Sequence, residues 1–147
     1  MEKKVLLQIY SHQQYEEEEE PQISELTTVG TLRREQDHLC LSYEETELTG
    51  LKGTTTSFRL YGDRIRLVRE GTLQSEMIFD IGKEHRSLYD MGMGALMITV
   101  RTMSIVQTMT EEGGMIQVDY DLLVEDCYVG QVNYRILVIP TEGIGEQ

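Results

Sequence analysis

Hydrophobic and polar positions alternate along most of this chain. From Leu39 to Pro140, short runs of period two follow one another, each closed by a turn signal. Between Met115 and Asp126, the residues Ile116, Val118, Tyr120, Leu122 and Val124 share one face, while Gln117, Asp119, Asp121 and Glu125 mostly fill the other. Ile65 and Leu67 stand in the same way against Arg64 and Arg66. Period two is the period of a half-buried β-strand, and no segment offers a long helical stripe in its place.

Alternation and turn punctuation predict about ten strands. They run from Lys3 to Gln13, Gln22 to Arg34, His38 to Glu47, Thr54 to Tyr61, the residues after Asp63 to Glu70, Leu73 to Ile81, His85 to Asp90, Ala95 to Thr110, Met115 to Asp126 and Val129 to Thr141. Gly62-Asp63 reads as a two-residue hairpin turn with glycine at positive φ. Gly30 marks a bulge or a bend. The strand from Ala95 carries apolar residues on both faces, Leu96, Ile98 and Val100 against Met97, Met103 and Ile105, so it either bends or is covered on both sides. The run Glu16 to Glu20 ends at Pro21; like charges repel, Pro21 cannot donate to a ladder, and residues 16–21 form a solvated acidic loop. The tail 142–147 is expected to fray.

Sequential strands joined by short turns make an antiparallel meander. One this long splits into two sheets or closes on itself, and closure removes the exposed edges. The fold class is therefore all-β: a single antiparallel up-and-down β-barrel, lipocalin-like in size, filling one domain over residues 1–147.

Charge and cysteine content narrow the partners. The formal net charge is −13, which disfavours nucleic acid and an anionic membrane surface and permits a basic protein partner. Cys40 and Cys127 are the two cysteines, far apart in sequence; a reducing compartment is the simpler reading, with a long-range disulfide left to geometry. The apolar stretch near the start is short and broken by Gln8, so it reads as a strand and not as a leader. No run is apolar enough to span a bilayer as a helix, and the expected location is cytoplasmic.

Several segments in order carry a resemblance. They are Tyr43-Glu44-Glu45, Gly53-Thr54-Thr55-Thr56, Ile65-Arg66-Leu67-Val68-Arg69-Glu70-Gly71, Met77-Ile78-Phe79, then Tyr89 with Gly94 and Met97 to Thr102, then Gly130 with Asn133. Their order and spacing, from Lys4 to Pro140, resemble the YwiB-like family of bacterial proteins, the domain of unknown function 1934. The resemblance implies a small calycin-type, lipocalin-like barrel of the bacterial cytoplasm and carries no function with it.

Candidate chemistry is sparse. Glu45 falls on the inward face with Leu39, Leu41 and Tyr43, and a buried carboxylate needs a partner. Arg69, on the face of Ile65 and Leu67, is the natural one: either a polar anchor in a pocket or a structural pair at the rim. Tyr43, Tyr61, Tyr89, Tyr120, Tyr128 and Tyr134 supply hydroxyls that would line a cavity or simply pack. The methionines from Met91 to Met109 fit core filling or an oligomer interface better than a soft metal site. His12, His38 and His85 lie at no metal-ligand spacing, and no phosphate loop, nucleophile elbow or Cys-His signature is present, so neither metal, cofactor nor catalytic residue is expected. The expectation is non-enzymatic binding of a small apolar molecule in or at the mouth of the barrel, lined by Tyr43, Glu45, Phe58, Arg69, Phe79 and Tyr120. The alternative is a filled core whose acidic surface or doubly apolar strand meets a protein partner or a second copy.

Overall fold

The computed structural model describes residues 2–141. The expected frayed tail 142–147 lies outside the described residues. Ten antiparallel strands form one sheet: β1 (Glu2–Tyr15), β2 (Gln22–Arg34), β3 (Leu39–Glu44), β4 (Thr54–Leu60), β5 (Arg64–Gly71), β6 (Ser75–Asp80), β7 (Glu84–Asp90), β8 (Ala95–Gln107), β9 (Gly114–Val124) and β10 (Cys127–Pro140). Their order is β6-β5-β4-β3-β2-β1-β10-β9-β8-β7. The chain thus runs up and down round a wall, with β1 against β10, and brings β6 and β7 together at the ends of the order. The architecture is the all-β barrel read from the alternation, consistent with a calycin-like fold.

Closure at β6 and β7 differs from the other joints. Gln74 and Asp90 exchange two backbone hydrogen bonds, 2.8 and 2.9 Å. Further along, side chains replace the ladder. His85 Nδ1 accepts from the Ile78 amide at 3.3 Å, Thr102 Oγ1 accepts from the Asp80 amide at 3.2 Å, and the Ser87 hydroxyl donates to the Glu76 carbonyl. A backbone donor left dry and unpaired is costly, so these side chains complete the wall.

Sheet register explains where the pattern misled. A bulge lies between Thr102 and Ser104 of β8, with Met103 the extra residue. Ile98, Val100 and Thr102 are buried before it, while Met103 and Val106 are exposed after it. The bulge moves the inward phase from Ile98, Val100 and Thr102 to Ile105, while before it the opposite face is covered as well, at Thr99 and its partner Leu123. Gly30 marks no bulge, since its pairing with Val5 continues an unbroken register. It is needed for space: a Cβ there would sit 2.5 Å from the Ser42 carbonyl oxygen and 3.0 Å from Leu7 Cδ1. Gly62-Asp63 does close a tight connection, Tyr61 N–H to Arg64 C=O at 2.9 Å, but Gly62 is not among the positive-φ residues. The primed turn lies instead at Glu125-Asp126, with φ of 51° and 68°, so β9 ends before the predicted Asp126. The third strand also ends early, because Glu47–Thr49 forms a single 3-10 turn capped by Thr46.

The core is built from inward residues of every strand except β7, which adds the partly buried Tyr89. Ring contacts cross the lumen. Phe58 of β4 meets Tyr134 of β10 with centroids 5.9 Å apart, and Phe79 of β6 meets Tyr120 of β9 at 4.8 Å. Neither pair belongs to neighbouring strands, so the rings touch through the middle of the barrel.

Candidate functional site

Alternation on β4, β5, β6 and β9 aims Phe58, Arg69, Phe79 and Tyr120 at one small internal space of about 30 Å³. Leu67, Val118 and Tyr134 complete its lining. Such a volume holds one or two waters, whereas drug-sized ligands occupy pockets of roughly 300 Å³ or more. Packed side chains fill the barrel interior round this space.

Tyr43 and Glu45 lie beside this space and do not line it. Glu45 is 6% exposed, as its phase on the inward face requires. The expected pair with Arg69 does not form. The Glu45 carboxylate accepts instead from Thr56 Oγ1 at 2.5 Å and from Thr49 Oγ1 at 2.8 Å. Thr56 alternates with Phe58 on the inner face of β4 and was legible as a neighbour. Thr49 stands on the 3-10 turn, for which the alternation gave no signal.

Arg69 is the unusual group. Its Nε is buried without a hydrogen-bond partner. Around it stand the hydroxyls of Tyr43, Tyr120 and Tyr134, all held above the ordinary phenol range, first by burial. The Arg69 charge acts the other way on each of them, and Glu45 adds to the rise for Tyr43 and Tyr134. At neutral pH this is a ring of neutral phenols about a cation. Of the remaining tyrosines considered as cavity liners, Tyr89 packs against the core. Tyr61 stacks on His38 at 4.7 Å, and Tyr128 is exposed.

Other chemistry gathers elsewhere. His38 lies 2.7 Å from Asp37 through Nδ1, and this hydrogen bond holds the Asp37 carboxyl below its usual value. His38 Nε2 is buried and unpartnered at the edge of a groove of about 260 Å³ that includes Arg34, Gln36 and Gln107. Among the described residues no three His, Cys, Asp or Glu side chains gather as a metal site. Cys40 is buried, Cys127 exposed, and both are free thiols. No helix among the described residues is long and apolar enough to cross a membrane.

Comparison with known proteins agrees with this architecture. The family described as domain of unknown function DUF1934 matches residues 7–136, and the chain belongs to it. Among solved structures, the ywiB protein from Bacillus subtilis is similar, with a TM-score of 0.79 and 23% identity over 92% of each chain. At that identity the likeness is one of fold. No curated protein matches the chain.

Proposed function

We propose that this protein is a non-enzymatic interaction module of the cytoplasm: a filled barrel that works through its outer surface. The observation that carries this reading is the contact of aromatic rings across the lumen, which leaves about 30 Å³ inside. The outer surface adds support. β2 pairs with β3 over Gly30–Arg34, and from Gln22 to Val29 its register is with β1 alone. Ile23 and Val29 on that stretch are 69% and 53% exposed. An open strand edge that also carries two exposed apolar side chains invites a partner strand.

A second reading rests on Arg69. A buried guanidinium nitrogen without a partner, ringed by phenols, suits the anionic head of a small molecule seated where the void now lies. Native mass spectrometry of the protein purified from cells separates the two. A mass equal to the bare chain or its oligomer is expected. A bound small molecule that disappears in Arg69→Met would overturn the interaction reading in favour of the container.

A further inference from the structure

Backbone phase along β2 identifies which groups its open side leaves unpaired. The Glu35 amide donates to the His38 carbonyl at 2.9 Å across the β2–β3 turn, so Glu35 turns its backbone toward β3. Backbone N–H and C=O groups alternate sides along an antiparallel strand. Stepping back by two from Glu35, the same side is reached at Ile23, Glu25 and Thr27, where β3 no longer runs alongside. The other end of the hairpin agrees: Glu16 donates to Val129 of β10 at 3.0 Å, which leaves the odd residues of β1 for the even residues of β2. No turn, loop or side-chain hydrogen bond among the described residues meets the three N–H and three C=O groups of Ile23, Glu25 and Thr27. The side chains of all three are exposed. Natural edges are commonly blunted by lysine, proline or a bulge, and the stretch from Gln22 to Thr28 carries none of these.

Charge at this edge has one sign. From Val5 to Leu32 the chain carries six carboxylates, Glu16 to Glu20 and Glu25, and neither lysine nor arginine. None of the six forms an ion pair among the described residues. Across the sheet, Arg135 is separated from Glu25 by Tyr10 and lies over that ring at 4.9 Å. Where the acidic loop leaves β1, a groove of about 320 Å³ is lined by Tyr15, Glu16, Glu17, Glu18, Tyr128 and Val129. Aromatic rings beside carboxylates suit the apolar stem and charged head of a lysine or arginine.

We infer that the open edge of β2 takes a basic, extended segment of a partner protein as an added antiparallel strand. This rests on the interaction reading above and names its surface and the partner's chemistry. From Ile23 to Thr27 the edge spans roughly 14 Å, and a partner strand of about five residues meets all six free backbone groups. Its outward side chains then lie opposite Ile23, Glu25 and Thr27, which favours an apolar residue, a lysine or arginine, and a β-branched residue in turn. Antiparallel pairing carries the segment's carboxyl end past Gln22 to the acidic loop, where further basic residues find carboxylates. A second copy of the chain fits worse. The two-fold register centred on the open residues sets Glu25 against its own copy, and each copy brings a net charge of −13.

The test is fluorescence anisotropy with a labelled Val-Ser-Lys-Thr-Val-Thr-Lys-Lys peptide and the full chain. Binding is expected, and it should weaken as salt rises. Glu25→Lys should weaken it about tenfold. Thr27→Pro removes a donor that faces the open side and spares the β1 ladder, so it should also weaken binding about tenfold with the thermal melt preserved. Methylating the backbone nitrogen of the peptide's first lysine blocks a donor that faces β2 and should abolish binding. Methylating the threonine after it, whose N–H faces away, should leave binding within about threefold. The proposal is overturned when the peptide does not bind, when its Glu-for-Lys counterpart binds as well, when methylation at that lysine changes nothing, or when Glu25→Lys binds as the parent does. It is overturned in favour of a second copy when sedimentation shows a dimer that Thr27→Pro parts. The reading it rests on fails by a different sign, an Arg69-dependent small molecule in the native mass spectrum.

Discussion

Raising the pH above about 10 should unfold this barrel in one abrupt step. Free tyrosine ionises near 10, and an unfolded chain follows that value. Tyr43, Tyr120 and Tyr134 are held higher in the folded state, chiefly by burial. Below pH 10 the two states bind equal numbers of these protons, and stability is untouched. Above it the unfolded state releases three protons that the folded state keeps, so stability falls as pH rises. Each phenol that stays protonated costs about 1.4 kcal/mol per pH unit, so Tyr43 and Tyr120 together cost about 5 kcal/mol by pH 12, and Tyr134 adds in the same direction. That is comparable with the whole stability of a domain, roughly 5–15 kcal/mol. Circular dichroism and phenolate absorbance recorded together should show these phenols ionising at the unfolding midpoint and not before. Tyr43→Phe removes one of these groups and should move the midpoint upward, since its share of the loss disappears. Smooth ionisation of all the tyrosines with the β-sheet signal intact would refute the buried-phenol account.

Four further outcomes follow from packing. Phe58→Ala removes a ring that crosses the lumen and should cost about 3–5 kcal/mol in denaturant unfolding, while opening a space that an apolar dye enters. Gly30→Ala should cost about 1–3 kcal/mol, because its Cβ meets the Ser42 carbonyl and that backbone atom has nowhere to go; unchanged stability would show that β2 and β3 can part there. Glu45→Ala leaves the buried Thr56 hydroxyl without its acceptor, while Thr49 keeps the Thr46 carbonyl at 3.1 Å, and should lose about 1–3 kcal/mol, with Glu45→Gln losing less in the same melts. His85→Ala removes the acceptor of the Ile78 amide, so hydrogen exchange at Ile78 should accelerate while core amides of β1 and β10 stay protected.

Much of the wall was legible because the signal was local. Ile65, Leu67, Ile116, Val118 and Tyr120 sit inward where period two placed them, and the acidic loop and ten-strand count follow from punctuation. What failed depended on backbone events that alternation does not encode. The bulge at Met103 changes the phase of β8 without changing its composition. Glu125-Asp126 adopts a primed turn without glycine, so the usual marker was absent. Four of the six candidate lining residues converge on one space, because each was chosen by phase and register holds on β4, β5, β6 and β9. The Glu45–Arg69 pair failed for another reason: opposite charges on one inner face were joined on sign alone, while two nearer hydroxyls took the carboxylate.

The same alternation describes a hollow barrel and a filled one, so period two cannot separate a container from a solid. Pairing across strands can. Tyr43 stands between Gly30 and Thr56, Tyr134 beside Ser11, and Tyr120 beside Thr102. Each inward tyrosine thus has a small neighbour, and its ring can tilt over that neighbour into the lumen. In small barrels such large-to-small alternation fills a tapering interior. A wall built to hold an apolar guest would need its small residues opposite one another, so that space accumulates in one place. Here that space is divided among rings from facing strands, and about 30 Å³ remains beside Arg69. The interior is spent on stability, and the binding proposed for this chain therefore falls to the outer wall, where the free edge of β2 lies.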